Sequence, residues 1–366
     1  MARNNPYIRE DEKIILALRS LYESFGYSQY KMVKFEEYDL YVRNKEFLLS
    51  EDVITFNDRN GKLMALKPDV TLSIIKNTPD KPGNVTRVYY NENVYRSSKS
   101  SRLIGEIMQT GIECLGDIDG CCITEVLYLA AKSLEAISEN SVLCITDLDI
   151  LTYAVSLYVQ DEKVRKELFT LFGEKNTHGI EALCNQEGIG AEGCRVLCAL
   201  SKLHGSGDTV FPALRELLPG CGGIDLFEET VGSLSMMKGR IEIDFAYAGD
   251  INYYNGIVFK GYIDGIPSFV LSGGRYDRLM SKMGKQSGAI GFAVYLDELS
   301  RLSPAGENYD TDIVLLYTKG ASRRALLEKA MSLREDGHRV LTLKAIPDKL
   351  RYRQLIRFDE TEESEK

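Results

Sequence analysis

The stretch that most constrains the fold runs from Asp244 to Leu299 and reads DFAYAGDINYYNGIVFKGYIDGIPSFVLSGGRYDRLMSKMGKQSGAIGFAVYLDEL. Two strand-forming runs, Gly256–Ile263 and Ile266–Leu271, flank Asp264-Gly265. A tight hairpin turn needs positive φ angles, and Asp-Gly supplies them, so the spacing predicts a hairpin. The second run ends in Ser272-Gly273-Gly274-Arg275-Tyr276-Asp277. Paired glycines let a ligand or a neighbouring backbone approach closely. Gly288–Val294 is apolar and punctuated by glycine, and it leads into a helical pattern. A sheet floor with Tyr253 and Tyr254 at one end and Tyr276 at the other predicts a pocket for a small polar molecule.

With 366 residues the chain is expected to hold two or three domains. Hydrophobic residues are 44% and charged residues 27%, as in ordinary globular proteins. No apolar run is long enough to span a membrane, and MARNNPYIREDEK lacks a signal peptide's apolar centre, so a cytoplasmic protein is expected. The 8 cysteines include no Cys-x-x-Cys, and the 3 histidines (His178, His204, His338) do not complete a zinc pattern. Reduced, mostly buried thiols and no metal are expected. The net charge of −9 lowers the expectation of tRNA binding, which relies on basic patches. No Walker loop, Rossmann fingerprint or nucleophile elbow occurs, and no cofactor is expected.

Along the chain, Glu12–Phe25 has the apolar spacing of a helix, and Gln29–Tyr38 alternates like a strand. Val53–Phe56 and Lys62–Leu66 flank Asn60-Gly61, a second hairpin signal. Asp69 suits the N-cap of a Thr71–Lys76 turn. Arg87–Arg96 and Ile107–Leu115 read as strands joined by a serine-rich loop. Gln109 and Glu113, four apart, then share a face, and Glu113 in an apolar strand calls for a ligand or an ion-pair partner. Helices are expected over Ile118–Ser138, Leu148–Tyr158 and Gly222–Gly239, with strands at Ser141–Thr146 and Arg240–Phe245. From about Asp161 to Leu218 helical patterns with glycine breaks dominate. Asp312–Tyr317, Ser322–Asp336 and Arg339–Leu343 read strand, helix, strand. A final helix is expected over Lys349–Phe358, followed by an acidic tail.

NYYNGIVF, SGGRYD and GAIGFAVYLDEL, in that order, resemble the class II histidyl-tRNA synthetase core, and the similarity runs from about Asp11 to Leu302. The resemblance implies an α+β fold: a class II aminoacyl-tRNA synthetase-like antiparallel sheet flanked by helices. It divides the chain into a core over 1–306, with a helical insertion at about 161–222, and a truncated anticodon-binding-like α/β domain over 307–366. Glu12–Tyr38 resembles the dimer element, with Val33-Lys34-Phe35 where that motif has its proline. Leu66–Thr71 (LKPDVT) resembles the segment whose acid and threonine hold the ammonium of histidine, and Arg96 falls on the arginine of the second motif. The implied histidine-binding set is Asp69, Thr71, Arg96, Gln109, Glu113, Tyr253, Tyr254 and Tyr276.

The departures from the synthetase pattern concern nucleotide chemistry. Gly249 stands where the catalytic arginine is aligned, and Glu298 where an arginine stacks on adenine. The loop that handles ATP is Ser97-Ser98-Lys99-Ser100-Ser101. Without cations at the developing charge, adenylation loses its main source of stabilisation. The pattern therefore resembles the non-catalytic relative, the ATP phosphoribosyltransferase regulatory subunits. That family implies activation of a short catalytic subunit, feedback inhibition by histidine, a homodimer within a hetero-octamer, and no role for tRNA or membrane. The alternatives are a divergent histidine–tRNA ligase, and an amino-acid-binding relative serving another pathway.

Overall fold

The computed structural model describes residues 10–48, 53–81, 83–97, 104–237, 240–245, 253–299 and 309–359. The backbone divides into two compact units, one of Ile14–Ser300 and one of Arg301–Lys366 with Met1–Lys13. In chain order the strands are β1 (Ser28–Gln29), β2 (Phe35–Glu37), β3 (Thr55–Asn57), β4 (Leu63–Leu66), β5 (Val85–Ser97), β6 (Ile104–Gly116), β7 (Ser141–Asp147), β8 (His204–Gly205), β9 (Ile241–Asp244), β10 (Ile257–Ile263), β11 (Leu271–Arg275), β12 (Gly288–Tyr295), β13 (Thr311–Tyr317), β14 (Val340–Leu343) and β15 (Tyr352–Phe358).

Among the described residues nine strands of the larger unit form one sheet, in the order β1-β5-β6-β12-β11-β10-β7-β9-β8. Its central pairings, from β5 through to β7, are antiparallel. The β5–β6 ladder pairs Val88 with Glu113, Glu92 with Gln109 and Arg96 with Gly105. Opposed residues share a face and alternate residues share a side. Tyr90, Glu92, Arg96, Gln109 and Glu113 therefore stand on one face. On the other face Tyr89, Ile112, Phe259 and Phe292 are buried. There Tyr22, from the helix Glu10–Ser24, packs 6.2 Å from Tyr89 and 6.1 Å from Phe292. Its hydroxyl meets Ser133 of the helix Gly120–Ile137 at 2.9 Å, so both helices cover this back face. Each such buried aromatic contributes roughly 2–3 kcal/mol from apolar area removed from water.

A second, three-stranded antiparallel sheet has the order β2-β4-β3. The hairpin expected at Asn60-Gly61 forms: Gly61 has φ 78° and Asp58 Oδ1 accepts the Asn60 and Lys62 N–H groups, each at 2.8 Å. The segment over 162–217 is built from the helices Glu162–Gly173, Thr177–Gln186, Ala191–Leu200 and Gly207–Leu217. It also contributes β8, which adds an antiparallel edge to β9. Two residues are too few to leave a strand pattern in the sequence.

Three expectations are corrected by the structure. The glycine-rich hairpin is longer at its turn: β11 starts at Leu271 and runs through Gly273-Gly274 to Arg275. Pro267 has no N–H for a ladder, so pairing with β10 resumes only where Val270 N–H reaches Gly261 O at 2.8 Å. Tyr253 and Tyr254, expected at one end of the sheet floor, lie in an irregular segment before β10, which begins at Ile257. Lys349–Phe358 is not a helix. It supplies β15, parallel to the central strand β13, whose other edge is taken by β14. The unpaired backbone groups of β13 and the burial of Phe358 beside Ile313 and Leu315 outweigh local helix preference.

The thiols also differ from expectation. The eight cysteines are free, but Cys114, Cys122 and Cys184 are the buried ones and Cys121 is exposed. Among the described residues no group of His, Cys, Asp and Glu is placed to hold a metal ion, and no helix is long and apolar enough to cross a membrane.

Candidate functional site

All eight residues singled out in the sequence line one pocket on the open face of the large sheet. The pocket encloses about 480 Å³ of space, part of it open to solvent. Its floor comes from β6, β12 and β11, and its walls from the Asp69–Thr71 turn and the tyrosines.

Glu113 is a buried carboxyl of this pocket, with 3% of its surface exposed. Thr71 Oγ1 donates to Glu113 Oε1 at 2.8 Å, and the Tyr276 hydroxyl donates to Oε2. Burial pushes the Glu113 carboxyl up to about 8; the two hydroxyl donors oppose that rise, and the neighbouring Asp69 charge adds to it. A glycine makes room for this carboxyl. A Cβ on Gly291 would lie 1.8 Å from Glu113 Oε2 and 2.4 Å from Ile112 O.

Tyr276 owes its aim to the turn after β11. Its N–H donates to Ala289 O at 2.8 Å, which ties it to β12. Asp277 accepts from Ala289 N–H at 3.0 Å and from Arg275 Nε at 2.7 Å, and Asn255 Oδ1 accepts the Asp277 N–H at 2.8 Å. The other two tyrosines form an aromatic wall. Tyr253 meets Tyr254 at 4.6 Å, Tyr276 at 5.9 Å and Phe47 at 6.1 Å, each at a steep angle. A Cβ on Gly274 would fall 2.7 Å from the Tyr254 ring, so that glycine is what admits the wall.

Asp69 stands one residue before the Val70 N-cap. Its Oδ1 accepts the Leu72 N–H at 2.9 Å at the start of the helix Thr71–Asn77, and it lines the pocket. Burial raises its pKa, while Arg96 and the backbone N–H groups hold the rise down. Arg96 Nη2 stands 3.9 Å from Asp69 Oδ2, and its Nε donates to Pro68 O at 2.7 Å. The segment is further pinned by Lys67, 2% exposed, which pairs with Glu92 of β5.

Gln109 closes the set. It is 3% exposed, and its Nε2 has no hydrogen-bond partner among the described residues. A buried amide donor without an acceptor costs about 1–3 kcal/mol, which a ligand acceptor would recover. The pocket thus offers two buried acids together with an amide and a guanidinium donor. It suits a small amphoteric molecule with a basic group and an anionic or carbonyl acceptor.

Several lining residues were not found from the sequence: Tyr90, Ser272, Gly291, Ala293 and Tyr295. Tyr90 precedes Glu92 and Arg96 at the period of two that the RVYYNENVYR strand already displayed. Glu298, expected where a synthetase stacks adenine, accepts a hydrogen bond from Ser268 Oγ at 2.6 Å. Gly249 and the Ser98–Ser101 part of the serine-rich loop lie outside the described residues.

The family model for histidyl-tRNA synthetase matches residues 4–299. The ATP phosphoribosyltransferase regulatory subunit of Caldanaerobacter subterraneus subsp. tengcongensis is 30% identical over 342 residues, which is 87% of this chain and 86% of that protein. Its counterpart in Clostridium acetobutylicum is 29% identical over 339 residues, 88% and 83% of the two chains. Among solved structures, an ATP phosphoribosyltransferase regulatory subunit/histidyl-tRNA synthetase from Bacillus halodurans C superposes with a TM-score of 0.79 at 21% identity, covering 95% of this chain and 94% of that one. A chain of the ATP phosphoribosyl transferase (HisG:HisZ) complex from Thermotoga maritima gives 0.63 at 18% identity, covering 79% and 98%. At these identities the two structures establish a shared fold.

Proposed function

From the premise that this chain belongs to the histidyl-tRNA synthetase family, and within it is a regulatory rather than catalytic subunit of ATP phosphoribosyltransferase, we propose that its pocket binds free histidine and that occupancy sets the activity of a short catalytic partner. The observation that carries the reading is Gln109 Nε2, a buried donor with no partner among the described residues, in a pocket that also holds Glu113 and Asp69. Histidine matches these groups. Its imidazole faces Glu113 between tyrosine rings, its ammonium faces Asp69 and Thr71, and its carboxylate faces Gln109 and Arg96. A cationic ligand beside Glu113 and Asp69 opposes the burial that raises their pKa values, so binding releases protons.

Two such chains are proposed to pair and to join catalytic subunits in a hetero-octamer, with no tRNA engaged. The assembly named in the Thermotoga maritima structure and the curated relatives support that partnership. Histidine then shifts the assembly toward a less active state, and by linkage the catalytic partner changes histidine affinity by the same factor.

The test is calorimetric titration of the full chain with histidine, followed by co-purification with a short catalytic subunit. Saturable heat at or below millimolar histidine, and a partner whose activity rises with this chain and falls with histidine, are expected. No heat at millimolar histidine would overturn the sensor. Histidine-dependent ATP–pyrophosphate exchange would restore the ligase alternative.

A further inference from the structure

The smaller unit has a groove of its own, unrelated to the pocket above. Its three strands are parallel, with β13 between β14 and β15. Leu316 stands opposite Leu343, so β13 and β14 leave the sheet at one edge, and there Lys344 lies over the Tyr317 ring at 5.8 Å. A turn, closed where Ala321 N–H reaches Thr318 O at 3.2 Å, leads from β13 into the helix Arg323–Glu335. At this edge opens a groove of about 1340 Å³, part of it open to solvent. Lys319 of the turn, Arg323 at the first helical position and Lys344 after β14 all line it, and no carboxylate does among the described residues. Arginines elsewhere in this unit are spent on acids: Arg324 on Glu328, Arg339 on Asp312 and Arg351 on Asp310. Among the described residues Lys319, Arg323 and Lys344 have no such carboxylate partner. Three cations left without acids are notable in a chain of net charge −9. Beyond them the groove turns apolar, with Leu326 and Leu327 of the helix as lining. Leu327 is 57% exposed and stands four residues, about 6 Å, along the helix from Arg323.

We propose that this groove binds an organic polyphosphate, with phosphate oxygens at Lys319, Arg323 and Lys344 and the body of the molecule along Leu326 and Leu327. Cations on three separate segments call for an anion with several charged oxygens on one group, which a polyphosphate has and a single carboxylate lacks. The guanidinium of Arg323 adds a planar fork that matches phosphate geometry. The apolar shelf one helical turn away suits a ring or a chain carried by the phosphates, since burying Leu327 removes apolar surface from water. The carboxyl ends of parallel strands are also where open α/β sheets commonly receive ligands. The groove lies wholly in the smaller unit, so it stands or falls apart from the histidine pocket.

The full chain is titrated calorimetrically with ATP and with inorganic triphosphate, which lacks the organic body. Both are expected to bind saturably and to weaken in higher salt, ATP several-fold more tightly than triphosphate. Arg323→Gln and Lys344→Gln are each expected to weaken both probes about tenfold, as loss of one charge-assisted contact requires. Lys344→Arg should keep most of the affinity. Leu327→Ser should weaken ATP a few-fold and leave triphosphate unchanged, and that unchanged heat reports a folded groove. An unchanged near-ultraviolet circular dichroism spectrum serves the same purpose for the two glutamine variants. Binding that survives both glutamine variants puts the polyphosphate elsewhere and overturns the site. So does the absence of heat with either probe, or equal heat from sulfate, which would mean an adventitious ion only. A single-stranded RNA or an acidic peptide that binds more tightly than ATP and is lost in the same variants would overturn the small ligand in favour of a macromolecular surface.

Discussion

The two ends of the pocket are built on opposite rules. At one, each Glu113 oxygen already has a hydroxyl donor, and glycine at 291 leaves the carboxyl only the space it fills. At the other, four residues along β6, Gln109 holds an equally buried amide donor with no acceptor among the described residues. The Glu113 end is finished without a ligand, so it gives shape and selectivity. The Gln109 end is unfinished, so it is where a ligand's arrival recovers free energy.

The sharpest way to break this contrast is through Glu113 and pH. Its folded pKa of about 8 lies above the ordinary value of 4.5, so the folded chain keeps a proton that the unfolded chain releases. The contribution of Glu113 to stability is therefore fully present below about pH 4.5, falls as pH rises toward 8, and levels off above, a loss on the order of 5 kcal/mol. Glu113→Gln is expected to remove that slope in denaturant titrations of the ligand-free protein. Identical slopes in wild type and variant would mean that the Glu113 end is not proton-linked. Asp147, raised to about 6 by burial, contributes to both curves and cancels in their difference.

Next in size is Gly291→Ala. The added carbon meets a main-chain oxygen as well as the carboxyl, so a side-chain shift alone cannot relieve it. A destabilisation of about 3 kcal/mol is expected, with loss of histidine heat. Gln109→Leu should behave in the opposite sense. Removing an unpaired buried donor leaves stability unchanged or raises it by up to about 1 kcal/mol. Histidine affinity should nevertheless drop about tenfold by calorimetry. A variant that lost stability and kept affinity would reverse the assignment of the two ends. The smallest effect is expected for Arg96→Lys, which keeps a charge near Asp69 but loses the planar fork that also reaches Pro68 O. A loss of only a few-fold in affinity, under about 1 kcal/mol, should follow.

Much of the site could be read in advance because it depends on short-range rules. The period of two puts Gln109 and Glu113 on one face, and the helix start at Thr71 places Asp69. What could not be read was the row that crosses strands. Ser272, Ala293 and Tyr90 are distant in sequence and meet in one pocket only through the registers of three strand pairings. Gly291 was visible as a glycine in an apolar strand, but its reason is the Glu113 carboxyl on the adjacent strand. The Lys349–Phe358 error has the same origin. A ten-residue segment with mixed preferences was decided by an empty strand edge some forty residues earlier.

By itself, then, the sequence determined which segments are strands and helices where the apolar period is strong, and which residues carry the chemistry. Tertiary structure alone decided the register of one strand against the next, and with it which donor is left to a ligand and which carboxyl is shut away from water. The reason is that local preference acts within a few residues along the chain, whereas desolvation and hydrogen-bond completion act between whatever residues folding brings within a few ångströms.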